Sequence, residues 1–176
     1  MNTIKTLIIA SFFIVFINCK EDQKITIEVT DPVISTFYFI RHAEKDRSDL
    51  DNDDPELNQD GLGRAVRWAE VMDPIELDAI YTTDYERTSM TAAPTAIKKD
   101  LTVQYYNPQD INIEEFKANN MGSNVLVVGH SNTTPDFVNK MIDIEKYEAI
   151  DDYNNGSLFI VRIIDGVSTD IRLQIN

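Results

Sequence analysis

From residue 36 to the C-terminus, short β-rich runs alternate with amphipathic stretches, and no other feature of the sequence limits the fold so tightly. The runs TFYFI (36–40), DAIYTT (78–83), LTVQYY (101–106) and NVLVVGH (124–130) have the length and composition of strands buried in a parallel sheet. Between the first two, Leu62, Ala65, Val66, Ala69 and Met72 recur at helical spacing, with Asn58 as the predicted N-cap. Helices are also expected over 84–98 and 111–119, and after residue 134, where Thr134 caps and Pro135 takes the first helical position. Phe137, Val138, Met141 and Ile142 supply the apolar face of that last helix. Finally, Asp165-Gly166 separates SLFIVRII from VSTDIRLQI, a strong hairpin signal whose second strand alternates as a half-exposed edge does. The pattern predicts a three-layer α/β/α fold with a mainly parallel sheet and a C-terminal antiparallel hairpin.

In such a fold the carboxyl ends of parallel strands face one crevice, beside helix N-termini. Arg41 and His42 end the first strand, Gly129 and His130 end the fourth, and Arg87 falls in the first turn of the helix after the second. The chain has only two histidines, and both lie at this edge. Arginine forks match phosphate oxygens, and they keep their charge at any physiological pH. A guanidinium nearby disfavours imidazolium, which leaves a histidine neutral and nucleophilic. Such a histidine can attack phosphorus while the second histidine and the arginines stabilise the transferring group. This chemistry needs no metal and no cofactor, and two histidines far apart in sequence with a single cysteine make a poor zinc set.

Three stretches, IRHAEK (40–45), YTTDYERTSMTAAP (81–94) and VLVVGHSNTTP (125–135), resemble the signatures of the histidine phosphatase superfamily, the phosphoglycerate mutase-like family. The resemblance runs from Phe37 to about Phe159, and points to the family's small phosphatases. It implies a phosphoglycerate mutase-like fold. It makes His42 the phosphorylated nucleophile, and Arg41, Arg87 and His130 its phosphate pocket. The partner implied is a small phosphorylated substrate. Ala43 replaces a more usual glycine, and Asn58 stands where a threonine cap is frequent. The alternatives are a phosphohistidine protein phosphatase and a non-catalytic phosphate-ligand binder.

Members of the family often protonate the leaving group with a carboxylic acid placed after the third strand. Asn107 occupies the position where that acid would be sought, and Asp110, Glu114, Glu44 and Asp46 are weak candidates that read equally well as surface charges. The loop from Glu44 to Glu56 holds seven carboxylates and two basic residues. It reads as solvated, since its acids lack the fixed spacing of a calcium loop.

A net charge of −14 argues against nucleic acid as a partner, while a local group of arginines still suffices for a small phosphate ester. The N-terminus is a separate matter. Lys5 precedes the apolar run LIIASFFIVFI, which stops just before Cys19, the chain's only cysteine. The run has signal-peptide length and is short for a bilayer span. The stretch resembles a bacterial lipoprotein signal, with Asn18 where Gly, Ala or Ser is usual. The expected organisation is a signal peptide over 1–18, a lipidated Cys19 with a polar tether over 19–35, and a phosphatase domain over 36–176. The protein would then be an exported lipoprotein, held at a membrane of the bacterial cell envelope by its lipid anchor.

Overall fold

The computed structural model describes residues 31–175. The expected signal peptide, Cys19 and all but the end of the tether lie outside the described residues. Elements follow in the order β1 (Ile34–Arg41), α1 (Gln59–Val71), β2 (Ala79–Thr82), α2 (Glu86–Lys99), β3 (Val103–Tyr105), α3 (Ile113–Asn119), β4 (Asn124–Gly129), α4 (Thr133–Ile142), β5 (Ser157–Ile164) and β6 (Val167–Gln174). One six-stranded sheet has the order β3-β2-β4-β1-β5-β6. The first four strands in that order are mutually parallel, and β5 and β6 pair antiparallel at the far side. Asp165 and Gly166, both with positive φ (49° and 84°), make the tight turn between β5 and β6. Among the described residues no helix is long and apolar enough to cross a membrane.

The central strands are apolar on both faces because helices cover both. Phe37, Phe39, Val125 and Val127 pack against Phe116 of α3 and Phe137, Val138 and Met141 of α4. The alternate residues Ile40, Leu126, Val128 and Ile80 pack against Trp68 and Met72 at α1 and Ala92 and Ala96 of α2. Two apolar layers thus sandwich one sheet, as the sequence pattern predicts.

Several local expectations are corrected. β1 begins at Ile34, which pairs with Ile164, so the strand takes in the last two residues assigned to the tether. α1 has the predicted cap, with the Asn58 side chain accepting from Gly61 N at 2.9 Å, but its buried stripe is displaced. Gly61, Ala65, Trp68 and Ala69 are buried, whereas Leu62 and Val66 are 40% and 53% exposed. Trp68, the largest side chain of that helix, centres the stripe and turns Leu62 and Val66 to its flank. α4 is capped by Asn132, not Thr134. Thr134 N already donates to His130 O, so the helical turn starts earlier and Pro135 falls at its third position, where a missing N–H costs nothing. In β6 the apolar Val167, Ile171 and Leu173 are exposed, together with Thr169, Arg172 and Gln174. The polar Ser168 and Asp170 turn inward, Ser168 to Met141 O and Asp170 to Lys146.

Candidate active site

Strand register brings the two histidines together. β1 and β4 are parallel neighbours in which Arg41 stands opposite Gly129, so both strands end at the same level. His42 N donates to Gly129 O at 2.9 Å, and the two imidazoles lie 5.5 Å apart, centroid to centroid. The chain leaving β1 is fixed on several sides. Ala43 N donates to Thr91 Oγ1 of α2 (2.9 Å), and Asn155 Nδ2 donates to His42 O (2.8 Å). Asn58 N donates to Glu44 O (2.9 Å), which brings α1 against the same turn. A Cβ on Gly61 would lie 2.1 Å from Glu44 O, so only glycine allows that approach.

His42 Nδ1 is 2.7 Å from Ala43 O. A carbonyl only accepts, so Nδ1 carries the proton and Nε2 keeps its lone pair for the cavity that His42 lines. Burial, aided by the charges of Arg41, His130 and Arg87, lowers the His42 pKa from 6.5 to about 3. Sequence reasoning assigned the neutral state to the arginines, but burial is the larger cause. His130 is lowered to about 4, again by burial first and then by Arg87 and Arg41. Its Nε2 lies 2.8 Å from the Thr83 hydroxyl, and its ring meets the Tyr85 ring edge-on at 5.0 Å.

Arg41 is buried, at 1% exposure, and the loop before β5 holds it. Its Nη1 donates to Asp151 O (2.9 Å) and Asn154 O (3.3 Å), and its Nη2 pairs with Asp152 at 2.7 Å. Arg87 lies over the Tyr85 ring at 4.3 Å and pairs with Asp54 at 3.2 Å. The Asp54 carboxylate also accepts from Glu86 N at the start of α2. The acidic loop therefore does more than meet solvent, since one of its carboxylates caps α2 and orients Arg87. Among the described residues no cluster of three or more His, Cys, Asp or Glu side chains is arranged to hold a metal ion.

These side chains line a cavity of about 520 Å³ that also receives Lys45, Asn107 and Asp152. In a strongly acidic chain, Arg41, Arg87 and Lys45 face it against a single carboxylate, Asp152. Arg41, His42, Arg87 and His130 are thus gathered at one site, as their positions at strand and helix ends predict. None of the acids considered from sequence lines the cavity. Glu44 pairs with Arg64 (2.7 Å), Glu114 with Lys117 (2.9 Å), Asp46 accepts from Ser48 N, and Asp110 accepts from Asn107 Nδ2. Asn107 does reach the cavity, as an amide. Asp152, Lys45 and Tyr85 were missed. Lys45 and Tyr85 sit within the quoted motifs, but nothing in the sequence around Asp152 marks it.

Residues 37–107 match the family model of the histidine phosphatase superfamily (branch 1). No curated protein sequence matches the chain. Among solved structures, the chain resembles the protein histidine phosphatase SixA complexed with tungstate, with a TM-score of 0.61 and 12% identity, covering 79% of this chain and 96% of that one. It also resembles phosphoglycerate mutase from Bacillus anthracis str. Sterne (TM-score 0.59, 15% identity, 81% and 94% covered). A third similar structure is the provisionally designated phosphohistidine phosphatase SixA of Nakamurella multipartitia (TM-score 0.56, 22% identity, 76% and 87% covered). At these identities the structures share a fold, and the chemistry of this chain rests on its own residues.

Proposed function

We propose that this chain, whose residues 37–107 match the histidine phosphatase superfamily model, is a member of that family and a metal-independent phosphomonoesterase that works through a phosphohistidine at His42 on a small phosphorylated substrate. One observation carries the reading. Burial lowers the His42 pKa and so favours the neutral imidazole, its Nδ1 lies against Ala43 O, and it lines a cavity together with Arg41, Arg87 and His130. In the first step the Nε2 lone pair forms a bond to phosphorus and the P–O ester bond breaks. The leaving oxygen departs with that electron pair. Arg41, Arg87 and His130 are placed to stabilise the charge on the transferring group. In the second step water attacks phosphorus, the P–Nε2 bond breaks, and inorganic phosphate is released.

The test is hydrolysis of an aryl phosphate in the presence of a chelator. Turnover should survive chelation and vanish in His42→Ala. Activity that is lost on chelation and restored by added metal would refute the metal-free mechanism. A protein that binds phosphate esters but hydrolyses none would be the non-catalytic binder.

We propose further that Cys19 carries a lipid that holds the domain at a membrane of the cell envelope. The support is in the sequence alone, where a basic residue, an eleven-residue apolar run and the sole cysteine follow in that order.

A further inference from the structure

Among the described residues Asp152 is the single carboxylate lining the cavity that His42 also lines. Its two oxygens bridge Arg41 Nη2 and Arg47 Nη1, each at 2.7 Å. Arg47 also donates to Asp152 O (3.0 Å), so the backbone of this turn is tied to the chain that follows His42. The side chain is 56% exposed, which lets it meet water as well as the cavity. Asp152 is not the sole anchor of Arg41, because Asp151 O and Asn154 O hold Nη1. The carboxylate thus stands beside Arg41, the residue that precedes the nucleophile.

We infer that Asp152 is the base of the dephosphorylation step, taking the proton of the water that attacks phospho-His42. The inference rests on the phosphohistidine reading above and assigns its second half. As the water oxygen bonds to phosphorus, the P–Nε2 bond breaks and its electron pair returns to His42 Nε2. One water proton passes to Asp152, and inorganic phosphate leaves. Hydrogen bonding to Arg47, then to Arg41, holds the Asp152 carboxyl below the usual carboxylate range, so at neutral pH it can accept a proton but has none to give. The two half-reactions are then unequal. The first proceeds without a protein acid and favours leaving groups stable as anions, whereas the second has a base.

Asp152→Asn separates this role from a structural one. With a nitrophenyl phosphate, mixed rapidly with the full-length protein, the variant should release one nitrophenolate per chain in a burst. Steady turnover should then run about a hundredfold or more below wild type, the loss expected for a missing general base. Intact-mass measurement should find the variant mostly phosphorylated during turnover, and Asp152→Glu should recover part of the rate. A slowed variant with no burst would place the defect in the first step or in binding and overturn the assignment, as would an undiminished rate. Failure to detect phosphoenzyme in either protein would refute the phosphohistidine reading itself, and this inference with it.

Discussion

Lowering the pH should destabilise this fold through its two histidines, by an amount set by the structure. Both imidazoles titrate near 6.5 in an unfolded chain, but in the folded protein they are held at about 3 (His42) and about 4 (His130). Between those values and 6.5 the unfolded chain binds protons that the folded chain refuses. Stability is therefore complete above about pH 6.5 and is lost as pH falls from there through the folded values. At about 1.4 kcal/mol per pH unit, each histidine costs about 2 kcal/mol by pH 5, or about 4 kcal/mol for the pair. The chain has no other histidine, so any imidazole titration in this window belongs to these two. Urea unfolding at pH 7 and pH 5 measures the loss, in phosphate-free buffer because a bound anion would add stability of its own. The His42→Asn, His130→Asn double variant supplies the baseline. Wild type should lose about 4 kcal/mol more than the double variant over this interval. Equal losses would mean that both imidazoles titrate normally in the folded protein, and would refute the buried, cation-flanked site.

His130→Ala and Arg87→Ala should each lower kcat on an aryl phosphate by about a hundred- to a thousandfold while leaving measurable turnover, since charge stabilisers act in parallel; a loss as complete as that of His42→Ala would contradict this. Asp54→Ala removes both the acceptor at the start of α2 and the partner of Arg87. It should cost about 1 kcal/mol in urea unfolding, and an unchanged midpoint would refute the cap. Mass spectrometry of the mature N-terminus should find lipid on Cys19, with Cys19→Ser leaving an uncleaved precursor. An unmodified Cys19 in a chain intact from Met1 would refute the anchor without touching the site.

Parallel strands end at a common edge, which is why spacing alone grouped Arg41, His42, Arg87 and His130. The register of β1 on β4 turned that shared edge into neighbouring imidazoles. The buried runs of β1 and β4 are apolar on both faces, a pattern readable without any knowledge of partners. Helix faces were less legible. Leu62 and Val66 fit the helical period as well as Trp68 does, and only the position of the sheet decides which side turns inward. The start of α4 was misplaced because His130 O had already begun the turn, a bond that the caps in the sequence do not reveal. Asp152 was invisible for a further reason. It lies in an irregular stretch before β5, far along the chain from His42, and its ion pairs with Arg41 and Arg47 join segments that the sequence does not relate. Asp54 was hidden among six other carboxylates of its loop, with nothing local to show that it meets α2.

A covalent phosphohistidine at His42 can be trapped and located directly. Wild-type protein mixed with radiolabelled aryl phosphate and quenched in base should retain phosphate that is labile to acid. Peptide mapping under alkaline conditions should place it on His42, and His42→Ala should retain none. Label on another residue, or full turnover in His42→Ala, would contradict the account.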